Sequence, residues 1–344
     1  MGNIHKEAKF VKCFSAGIME DVKQVDAVIT WVDGKDPELA AKRRNFLEGK
    51  DSSDIDKNPE VSGQTRYVSF GEICWCVASI NRFAPWIRKI YIVTDGQDPK
   101  IDEHLPKGSD INHIPVEIID HKVIFRDFED LLPTFNSLSI ETMLWRIPGL
   151  ADNYIYFNDD FFLCAPNSLA DRFRGEAIVN YGRVMNTLLV GVAIKAKQMI
   201  KGKGVPMFKS AMYRAAQILN SDKLIFHQHS AIAQNKILLE NYFTKHPDIL
   251  RKNASYRFRS DLQFSNAALC LLLAYQEGKL INLKRNRTAF FKTEPSKGDI
   301  YIARKVEEAQ KNHALQGCVN SFDLATQCQR LQFKEWINRL LDIN

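Results

Sequence analysis

The chain has 344 residues, enough for one large α/β domain or for two domains of ordinary size. Its composition, with 45% hydrophobic, 26% charged and 10% aromatic residues, excludes a disordered or fibrous protein. The net charge of +6 is mild and is not packed into one basic run, so it fits an anionic small substrate or a membrane surface as readily as nucleic acid.

Predicted strands and helices alternate along the first half of the chain. Apolar and β-branched runs predict strands at 26–32, 87–93, 116–120 and 154–157. Apolar residues at helical spacing predict helices at 38–48 and 71–84, and a third that Ser137 or Ser139 caps and that ends at Pro148. Residues 49–63 are polar and predict a mobile loop. This alternation predicts an α/β fold with a mostly parallel sheet and helices on its faces.

The last of these strands leads into an acidic turn, in the stretch NYIYFNDDFFLCAP from Asn153 to Pro166. Two adjacent carboxylates, Asp159 and Asp160, follow a strand whose residues are all apolar or aromatic. Burying them without a partner would cost several kcal/mol, so they should face a cation, a basic side chain or a cleft. The alternative is an Asp-Asp pair that caps the next segment, but flanking aromatic residues disfavour an ordinary surface turn.

Acidic turns follow three of the predicted strands, at Asp33, at Asp95 and at the Asp159–Asp160 pair. Open α/β sheets bind their ligands just beyond the carboxyl ends of the strands. Convergence of these turns on one edge of the sheet would create a site for a cation and a nucleotide. On spacing alone, a plain strand-to-loop turn remains the alternative at Asp33.

The second half of the chain is predicted to be rich in helices, at 213–220, 231–243, 262–277 and 332–341. Two short motifs in it suggest anion binding: His227-Gln228-His229 before a helix start, and the alternating arginines and aromatic rings of Tyr256 to Asp261. A surface or core histidine pair and a salt-bridged edge are the alternatives. The predicted organisation is a peripheral segment at 1–24, an α/β core at 25–170 and a helix-rich part at 171–344 that completes the same site.

The seven cysteines are odd in number, scattered and set mostly among apolar residues, which is typical of reduced thiols in a cytoplasmic protein. Met1 to Glu20 contains no recognisable signal peptide. The longest apolar run, Ala267 to Tyr275, is far shorter than the roughly 20 residues that cross a bilayer. We therefore expect a cytoplasmic protein, with any membrane association peripheral and on the inner face.

No P-loop, GxGxxG, GxSxG, HExxH or CxxC motif occurs, so the usual kinase, dehydrogenase, serine hydrolase and zinc templates gain no support. Four ordered blocks instead resemble the Stealth family. They are TWVDG-K-DP (Thr30 to Pro37), R-Y-x4-E with the later RFAPWIRKIYIVTDGQ (Arg66 to Gln97), LPTFNS with WRIPGL (Leu132 to Leu150) and YIYFNDDFFL (Tyr154 to Leu163), with a looser likeness at 227–229 and 257–264.

The Stealth family comprises hexose-1-phosphate transferases of bacterial capsule synthesis and the related animal enzyme that adds GlcNAc-1-phosphate to lysosomal glycans. The resemblance implies a Rossmann-like or GT-A-like fold, a UDP-sugar donor, a glycan acceptor and no nucleic acid. It implies attack of a sugar hydroxyl on the β-phosphorus, with release of UMP and formation of a phosphodiester. Association with the capsule machinery follows as an expectation, and the oligomeric state is left open.

The resemblance also implies roles for individual residues. Asp159 and Asp160 would bind Mg²⁺, for which Mn²⁺ could substitute, or orient the transferred phosphate and donor sugar. Glu141 and His227 are the two candidates for general base, His227 first because histidine titrates near neutral pH. Arg259 would hold the diphosphate. Further substrate contacts are expected at Trp31, Asp33, Gly34, Arg66, Gly96, Gln97, Asn158, His229 and Arg257.

The chain departs from the family pattern at several positions. The family commonly has polar or charged residues where this chain has Val68, Ser69, Phe70, Cys74 and Ala78. The arginine often found at position 74 is absent, and with it one expected phosphate contact. A proline is common where His229 stands, which leaves open whether His227 or His229 is the functional histidine. Two other functions remain: a metal-dependent glycosyltransferase that releases UDP, and a non-catalytic module that binds nucleotide sugars or glycans.

Overall fold

The computed structural model describes residues 24–48, 71–201, 207–284 and 287–343. Its strands, in chain order, are β1 (Val25–Thr30), β2 (Ile90–Thr94), β3 (Val116–Asp120), β4 (Asn153–Asn158), β5 (Phe161–Leu163), β6 (Phe173–Arg174), β7 (Ala177–Asn186), β8 (Lys223–His227), β9 (Ile232–Asn235), β10 (Leu280–Leu283), β11 (Thr288–Lys292) and β12 (Gln316–Asn320).

Its α-helices are α1 (Pro37–Glu48), α2 (Glu72–Phe83), α3 (Ile101–His104), α4 (His121–Ile124), α5 (Ser137–Met143), α6 (Thr187–Lys201), α7 (Met207–Ile218), α8 (Lys236–Lys245), α9 (Pro247–Ala254), α10 (Asn266–Gln276), α11 (Tyr301–Lys311) and α12 (Gln327–Leu341).

A five-stranded sheet with the order β3-β2-β1-β4-β9 forms the centre of the protein. The pairs β1–β2, β1–β4 and β2–β3 are parallel, and β9 closes one edge antiparallel to β4. Its first four strands follow the 3-2-1-4 order with which the classic Rossmann sheet begins. Every residue of β1 and β2 is buried, as is typical of parallel strands that are covered on both faces. The predicted α/β fold with a mostly parallel sheet is confirmed.

Two smaller sheets come largely from the second half of the chain. One has the order β10-β7-β6, with β8 paired to β7, and the other has the order β11-β12-β5. In the second of these, β12 pairs antiparallel with β5, so that Cys318 lies opposite Phe161. This pairing brings a C-terminal strand next to the turn that follows β4.

The second half contains more strand than the sequence predicted. Residues 231–243 were predicted as one helix, but 232–235 form β9 and the helix begins only at Lys236, where Asn235 caps it. The side chain of Asn136, rather than Ser137 or Ser139, caps α5. The short β9 gains hydrogen bonds by covering an otherwise open edge of the sheet, a tertiary effect that helical periodicity does not detect.

One hydrophobic cluster extends from Val25 in β1 to Leu341 in α12 and includes residues of both predicted parts of the chain. The predicted parts at 25–170 and 171–344 therefore share a core. Within the described ranges, no helix has the length and hydrophobicity that crossing a bilayer requires. The predicted peripheral segment and the predicted loop at 49–63 lie outside these ranges, apart from Gln24.

A buried carboxylate fixes the start of β1 against its neighbours. The fully buried Asp26 accepts hydrogen bonds from Arg88 Nε at 2.8 Å and Nη2 at 2.6 Å, and its Oδ2 also accepts one from the backbone N–H of Ala151 at 2.7 Å. Removing the Asp26 carboxylate would leave the Ala151 N–H without its acceptor and the guanidinium of Arg88, which is 36% exposed, without its charged partner. Asp26 thus ties the segments that precede β2 and β4 to the central strand between them.

We expect Asp26→Asn to lower the free energy of unfolding by about 2–4 kcal/mol, because Arg88 and the Ala151 N–H lose a charged acceptor. Urea denaturation at neutral pH measures the change. Asp222→Asn is the matched control, since the pair Asp222–Lys223 is largely exposed and should contribute less than about 1 kcal/mol. Equal losses in the two variants would show that the Asp26 pair does not stabilise the sheet.

Candidate active site

The acidic turn lies at the carboxyl end of β4, where the strand order places ligand sites of open α/β sheets. Asp159 and Asp160 form a two-residue turn between β4 and β5, and both are half-buried. The Oδ1 atom of Asp160 is buried and has no hydrogen-bond partner among the described residues. A buried carboxylate oxygen in this position is suited to accept a hydrogen bond or to coordinate a cation.

A third carboxylate adds to the negative charge. Glu72, in the first turn of α2, is buried and raises the pKa of both turn residues through like-charge repulsion. Burial is the larger cause: it raises the pKa of Asp160 to about 7 and that of Asp159 well above its ordinary range, where Asp160 repels it further. Two carboxyl groups held this close titrate as a pair. A bound cation would relieve the repulsion.

Two further side chains complete the surroundings of Asp160. Cys318 in β12 is fully buried and donates its S–H to Asp160 Oδ2 at 3.3 Å. A nitrogen of the half-buried His229, Cys318 Sγ and an Asp160 oxygen all lie within 4.8 Å of one another. The imidazole of His229 packs edge-on against Phe161, with 5.0 Å between ring centroids, and against Phe208 at 5.3 Å. The acidic turn is therefore flanked by nitrogen and sulfur donors.

The second part of the site is built around Arg259 and Glu141. Burial raises the pKa of Glu141 to about 7, while the charge of Arg259 and a hydrogen bond with Tyr156 act in the opposite direction. Arg259 also lowers the pKa of Asp160, although less strongly than burial raises it. The guanidinium therefore lies within electrostatic reach of both Glu141 and the acidic turn. A positive charge between carboxylates is suited to holding a phosphate group.

Contacts with the start of α5 position Arg259. Its Nη2 donates to Ser137 Oγ at 2.7 Å. The Asn136 side chain donates to the carbonyl oxygens of Tyr256 and Phe258 at 2.9 Å each, and the rings of Phe135 and Phe258 stack at 5.4 Å. The segment that carries Arg259 is thus fastened to the helix that carries Glu141. Two sequence blocks that lie more than one hundred residues apart form a single unit.

Arg257 has a different environment from Arg259. Its Nη1 donates to the carbonyl oxygens of Leu131 and Pro133 at 3.1 and 2.7 Å, and its Nη2 to that of Asp130 at 3.0 Å. Its guanidinium also lies 4.6 Å from the ring centroid of Phe46. These contacts hold the loop before α5, so in this structure Arg257 is a structural residue and the substrate contact predicted for it stays a prediction.

His227 and His229 also differ in their surroundings. His227, at the end of β8, is buried; its Nδ1 lies 2.9 Å from the Gln228 carbonyl oxygen and its Nε2 lies 3.4 Å from Ser265 Oγ. Burial lowers its pKa to about 4, so the ring is neutral at physiological pH. The structure thus places His229, and not the first-choice base His227, in the group with Asp160.

The turns after β1 and β2 are joined by one amide side chain. Gln97 accepts a hydrogen bond from the Asp33 N–H at 2.9 Å and donates to the Asp33 carbonyl oxygen at 3.0 Å and to Asp36 Oδ2 at 2.9 Å. Gly96 has a φ of 72° in this turn, a conformation that glycine adopts without strain. Gly34 is half-buried in the facing turn. Gln97 therefore fixes the two turns relative to each other.

The edge of the sheet that carries the acidic turns has two separate clusters of charge. Asp95 pairs with Lys42 at 2.9 Å and lies 4.0 Å from the buried ring of His121, away from the cluster around Asp160. Between them, the Trp31 ring is buried and its indole N–H has no hydrogen-bond partner among the described residues. The predicted common edge exists, but only the Asp159–Asp160 turn joins Glu141 and Arg259.

Asn158 belongs to the same site through its side chain. Its Oδ1 accepts hydrogen bonds from the hydroxyl of Tyr156 and, at 3.5 Å, from Thr30 Oγ1.

Arg66 and the departures at Val68, Ser69 and Phe70 lie outside the described residues. Cys74 is half-buried and Ala78 is fully buried, both on α2. The roles predicted for Arg66 and Asn158 stay predictions.

Glu72 and Cys318 were not among the residues predicted from the sequence. For Glu72 a signal was present, since it is the glutamate of the R-Y-x4-E block. Cys318 lies in an inconspicuous stretch, Gln316 to Asn320, and only the pairing of β12 with β5 brings its thiol to Asp160. The described thiols, Cys74, Cys76, Cys164, Cys270, Cys318 and Cys328, are all free, in agreement with the reduced state predicted for them.

The residues of the acidic turn fit a divalent cation. Three carboxylates repel one another there, and one buried oxygen has no partner in the described structure. Carboxylate oxygens are the ligands that Mg²⁺ and Mn²⁺ prefer. Asp159 and Asp160 would hold the ion, and the ion would supply charge neutralisation for a bound diphosphate.

Two family models match the chain. The model described as Stealth protein CR1, conserved region 1, covers residues 23–51, and the model of Stealth protein CR2, conserved region 2, covers residues 66–180. Together they contain Asp33, Glu72, Glu141 and the Asp159–Asp160 pair. His229, Arg259 and Cys318 lie beyond both matched regions.

Curated relatives include three bacterial phosphotransferases. Receptor polysaccharide phosphotransferase WefC of Streptococcus oralis is 33% identical over 49% of this chain and 47% of its own length. Exopolysaccharide phosphotransferase SCO2594 of Streptomyces coelicolor is 32% identical over 69% of this chain but only 36% of its length. Capsular polysaccharide phosphotransferase LcbA of Neisseria meningitidis is 28% identical over 87% of this chain and 78% of its own length. The matched region thus spans less than half of the length of the first two.

Solved structures with a similar arrangement include two glycosyltransferases. Mouse xyloside xylosyltransferase 1 has a TM-score of 0.41 and 8% identity over 88% of this chain and 99% of its own. Galactosyltransferase LgtC, in complex with donor and acceptor sugar analogs, has a TM-score of 0.40 and 12% identity over 92% and 95%.

Proposed function

Because the chain belongs to the Stealth family, we propose that it is a polysaccharide phosphotransferase that moves a sugar-1-phosphate from a UDP-sugar to a glycan hydroxyl and releases UMP. The observation that supports this proposal most directly is that Arg259, which Ser137 of α5 holds in place, lies within electrostatic reach of both Glu141 and Asp160. Capsular and exopolysaccharide phosphotransferases among the relatives point to surface polysaccharide as the acceptor.

The proposed reaction is an in-line displacement at phosphorus. The acceptor oxygen forms a bond to the β-phosphorus, the bond between that phosphorus and the oxygen bridging to UMP breaks, and the anomeric bond stays intact. The protein must therefore neutralise phosphate charge, align the two oxygens and accept one proton. Arg259 supplies a fixed positive charge beside the acidic turn, and Ser137 holds its guanidinium in place.

Glu141 is the proposed acceptor of that proton. Its pKa of about 7, raised by burial, gives a carboxylate that is basic enough to take a proton at neutral pH and still largely ionised slightly above it. His227 is less suited to this role, because its ring nitrogens lie against Gln228 and Ser265 and its pKa is lowered to about 4. Glu141 therefore replaces His227 as the first candidate for the base.

The direct test uses the purified protein with a panel of UDP-sugars and oligosaccharide acceptors in the presence of Mg²⁺ or Mn²⁺. The proposal predicts UMP as the nucleotide product and a phosphodiester signal in the phosphorus NMR spectrum of the glycan. Release of UDP with a glycan lacking phosphate would identify a glycosyltransferase instead. Tight binding of UDP-sugar without turnover on any acceptor would identify a binding module.

We predict that Glu141→Gln lowers kcat by about 100-fold to 10,000-fold, since general bases contribute factors of this size. In the unmodified protein, a carboxyl group with a pKa of about 7 must be deprotonated to act, so kcat/KM, which reports the pKa of the free protein, should rise with pH through about 7. This rising limb should be absent from the residual activity of the variant. The substitution removes no phosphate ligand, so the affinity for the donor should change little.

Glu129→Gln is the control for Glu141→Gln, because Glu129 is an exposed carboxylate outside the site. It should leave kcat and the pH profile of kcat/KM unchanged. A Glu141→Gln protein with a normal rate and an intact rising limb would exclude Glu141 as the base.

We further propose that a surface on α6 brings the protein to the inner face of a membrane. Leu188, Leu189 and Val192 are 77%, 71% and 67% exposed. No acidic residue occurs between Thr187 and Ser221, a stretch with five lysines and one arginine. Exposed apolar residues in a stretch of sequence rich in lysine and free of acidic residues suit the interface of an anionic bilayer. The next helix, α7, contacts the candidate site, since Phe208 packs edge-on against His229.

This surface predicts binding to vesicles that contain phosphatidylglycerol and weak binding to neutral phosphatidylcholine vesicles. The double variant Leu188→Glu/Leu189→Glu should lose most of this binding in a flotation assay, with UMP release from a soluble acceptor unchanged. Leu331→Glu is the control, since Leu331 is 54% exposed on α12. If the double variant and the Leu331→Glu control float equally well, the α6 surface is not the site of membrane contact.

A further inference from the structure

The side chains around Asp160 offer three chemically different donor atoms. A carboxylate oxygen of Asp160, a ring nitrogen of His229 and the sulfur of Cys318 lie within 4.8 Å of one another. They come from three separate elements: the turn after β4, the segment after β8, and β12. Convergence of three such groups requires the folded protein, since they are scattered over the sequence.

The geometry is close to that of a metal site. A tetrahedral ion with bonds of about 2.0–2.3 Å keeps its ligand atoms about 3.3–3.8 Å apart. Cys318 Sγ and Asp160 Oδ2 are already separated by 3.3 Å. Small rotations of the His229 ring would close the remaining gap, and this ring is half-buried between aromatic side chains.

The donor set also selects the class of ion. Mg²⁺ takes oxygen ligands in octahedral geometry and binds thiolates poorly, whereas Zn²⁺ and neighbouring late transition ions bind oxygen, imidazole and thiolate together. The acidic turn by itself suits Mg²⁺. With Cys318 and His229 beside Asp160, the ion bound there would be a late transition ion in place of the Mg²⁺ or Mn²⁺ considered above for the acidic turn alone.

The exposure of the ligands indicates an open coordination position. Cys318 is fully buried, whereas Asp160 and His229 are half-buried and so remain partly accessible to solvent. Three protein ligands with a free position toward a cleft are typical of catalytic zinc sites, while structural sites have four. Asp160 Oδ1, the buried oxygen that lacks a partner in the described structure, is a further donor at the same place.

We propose that Asp160, His229 and Cys318 form a three-ligand site for a thiophilic divalent ion such as Zn²⁺, with the open position facing the proposed phosphate site. This inference rests on the proposed function in one respect only, namely which substrate group would occupy the open coordination position. Ion binding itself requires neither donor nor acceptor, so its failure is distinguishable from failure of the phosphotransferase proposal. A Cys318–Asp160 hydrogen bond with no metal role is the opposing interpretation.

The test is a titration of the chelator-treated, reduced protein with Co²⁺, followed by absorption spectroscopy. We expect one ion per chain, a near-ultraviolet charge-transfer band from the cobalt–thiolate bond and visible bands of tetrahedral intensity. Zn²⁺ should abolish these bands stoichiometrically, and millimolar Mg²⁺ should leave them in place. A wild-type protein that binds Co²⁺ without the thiolate band, or not at all, would overturn the proposal.

Three variants assign the ligands. Cys318→Ser should remove the charge-transfer band and weaken Co²⁺ binding by more than about 100-fold, a larger loss than that from disturbing groups around a ligand. His229→Gln should weaken binding similarly and retain the thiolate band at saturation. Cys328→Ser is the control, because this half-buried thiol lies on α12 and is not in the ligand group. Circular dichroism establishes that each variant is folded.

Loss of the thiolate band in Cys328→Ser, or its persistence in Cys318→Ser, would contradict the assignment. The wild-type spectrum decides the proposal by itself if a ligand variant fails to fold. A protein that releases UMP with Mg²⁺ alone and gives no thiolate band would retain the proposed function and lose this inference. A thiolate band without any UMP release would support the metal site and contradict the proposed function.

Discussion

The structure depends on holding three carboxylates together at the carboxyl end of a buried strand. Asp159, Asp160 and Glu72 repel one another in a partly desolvated place, and burial together with this repulsion raises the pKa of both turn residues. A protein retains such an arrangement only if something offsets its cost. Here the thiol of Cys318 and the charge of Arg259 do so in part, and a bound cation would complete the compensation.

The second half of the chain supplies this compensation through two attachments. The pairing of β12 with β5 brings Cys318 next to the turn, and the hydrogen bonds from Asn136 fasten the Arg259 segment to α5. Cys318 and Phe161 also lie in a hydrophobic core to which both halves of the described chain contribute. The site therefore cannot be assigned to one half of the molecule, because strands and loops of both halves hold its residues.

Neighbouring residues of the same type have different roles in this protein. Arg257 and Arg259 are only two residues apart. Arg257 donates its hydrogen bonds to three backbone carbonyl oxygens, whereas Arg259 donates to the hydroxyl of Ser137 and lies within electrostatic reach of two carboxylates. His227 is buried against Ser265, whereas His229 lies beside Asp160 and Cys318. The difference arises from the strand or loop that each side chain contacts in the folded protein. A sequence motif with two identical residues close together does not predict these contacts.

The sequence by itself determined the central sheet, its acidic edge and the family, because strand periodicity, turn residues and ordered motifs are local properties of the chain. It also identified Glu141, Arg259 and the Asp159–Asp160 pair as candidates for one site. Only the tertiary structure decided four other features. They are the edge strand β9, the structural contacts of Arg257, the position of His229 (and not His227) beside the acidic turn, and the contact of Cys318 with that turn. Each depends on pairing or packing between segments far apart in sequence, for which local patterns carry no signal.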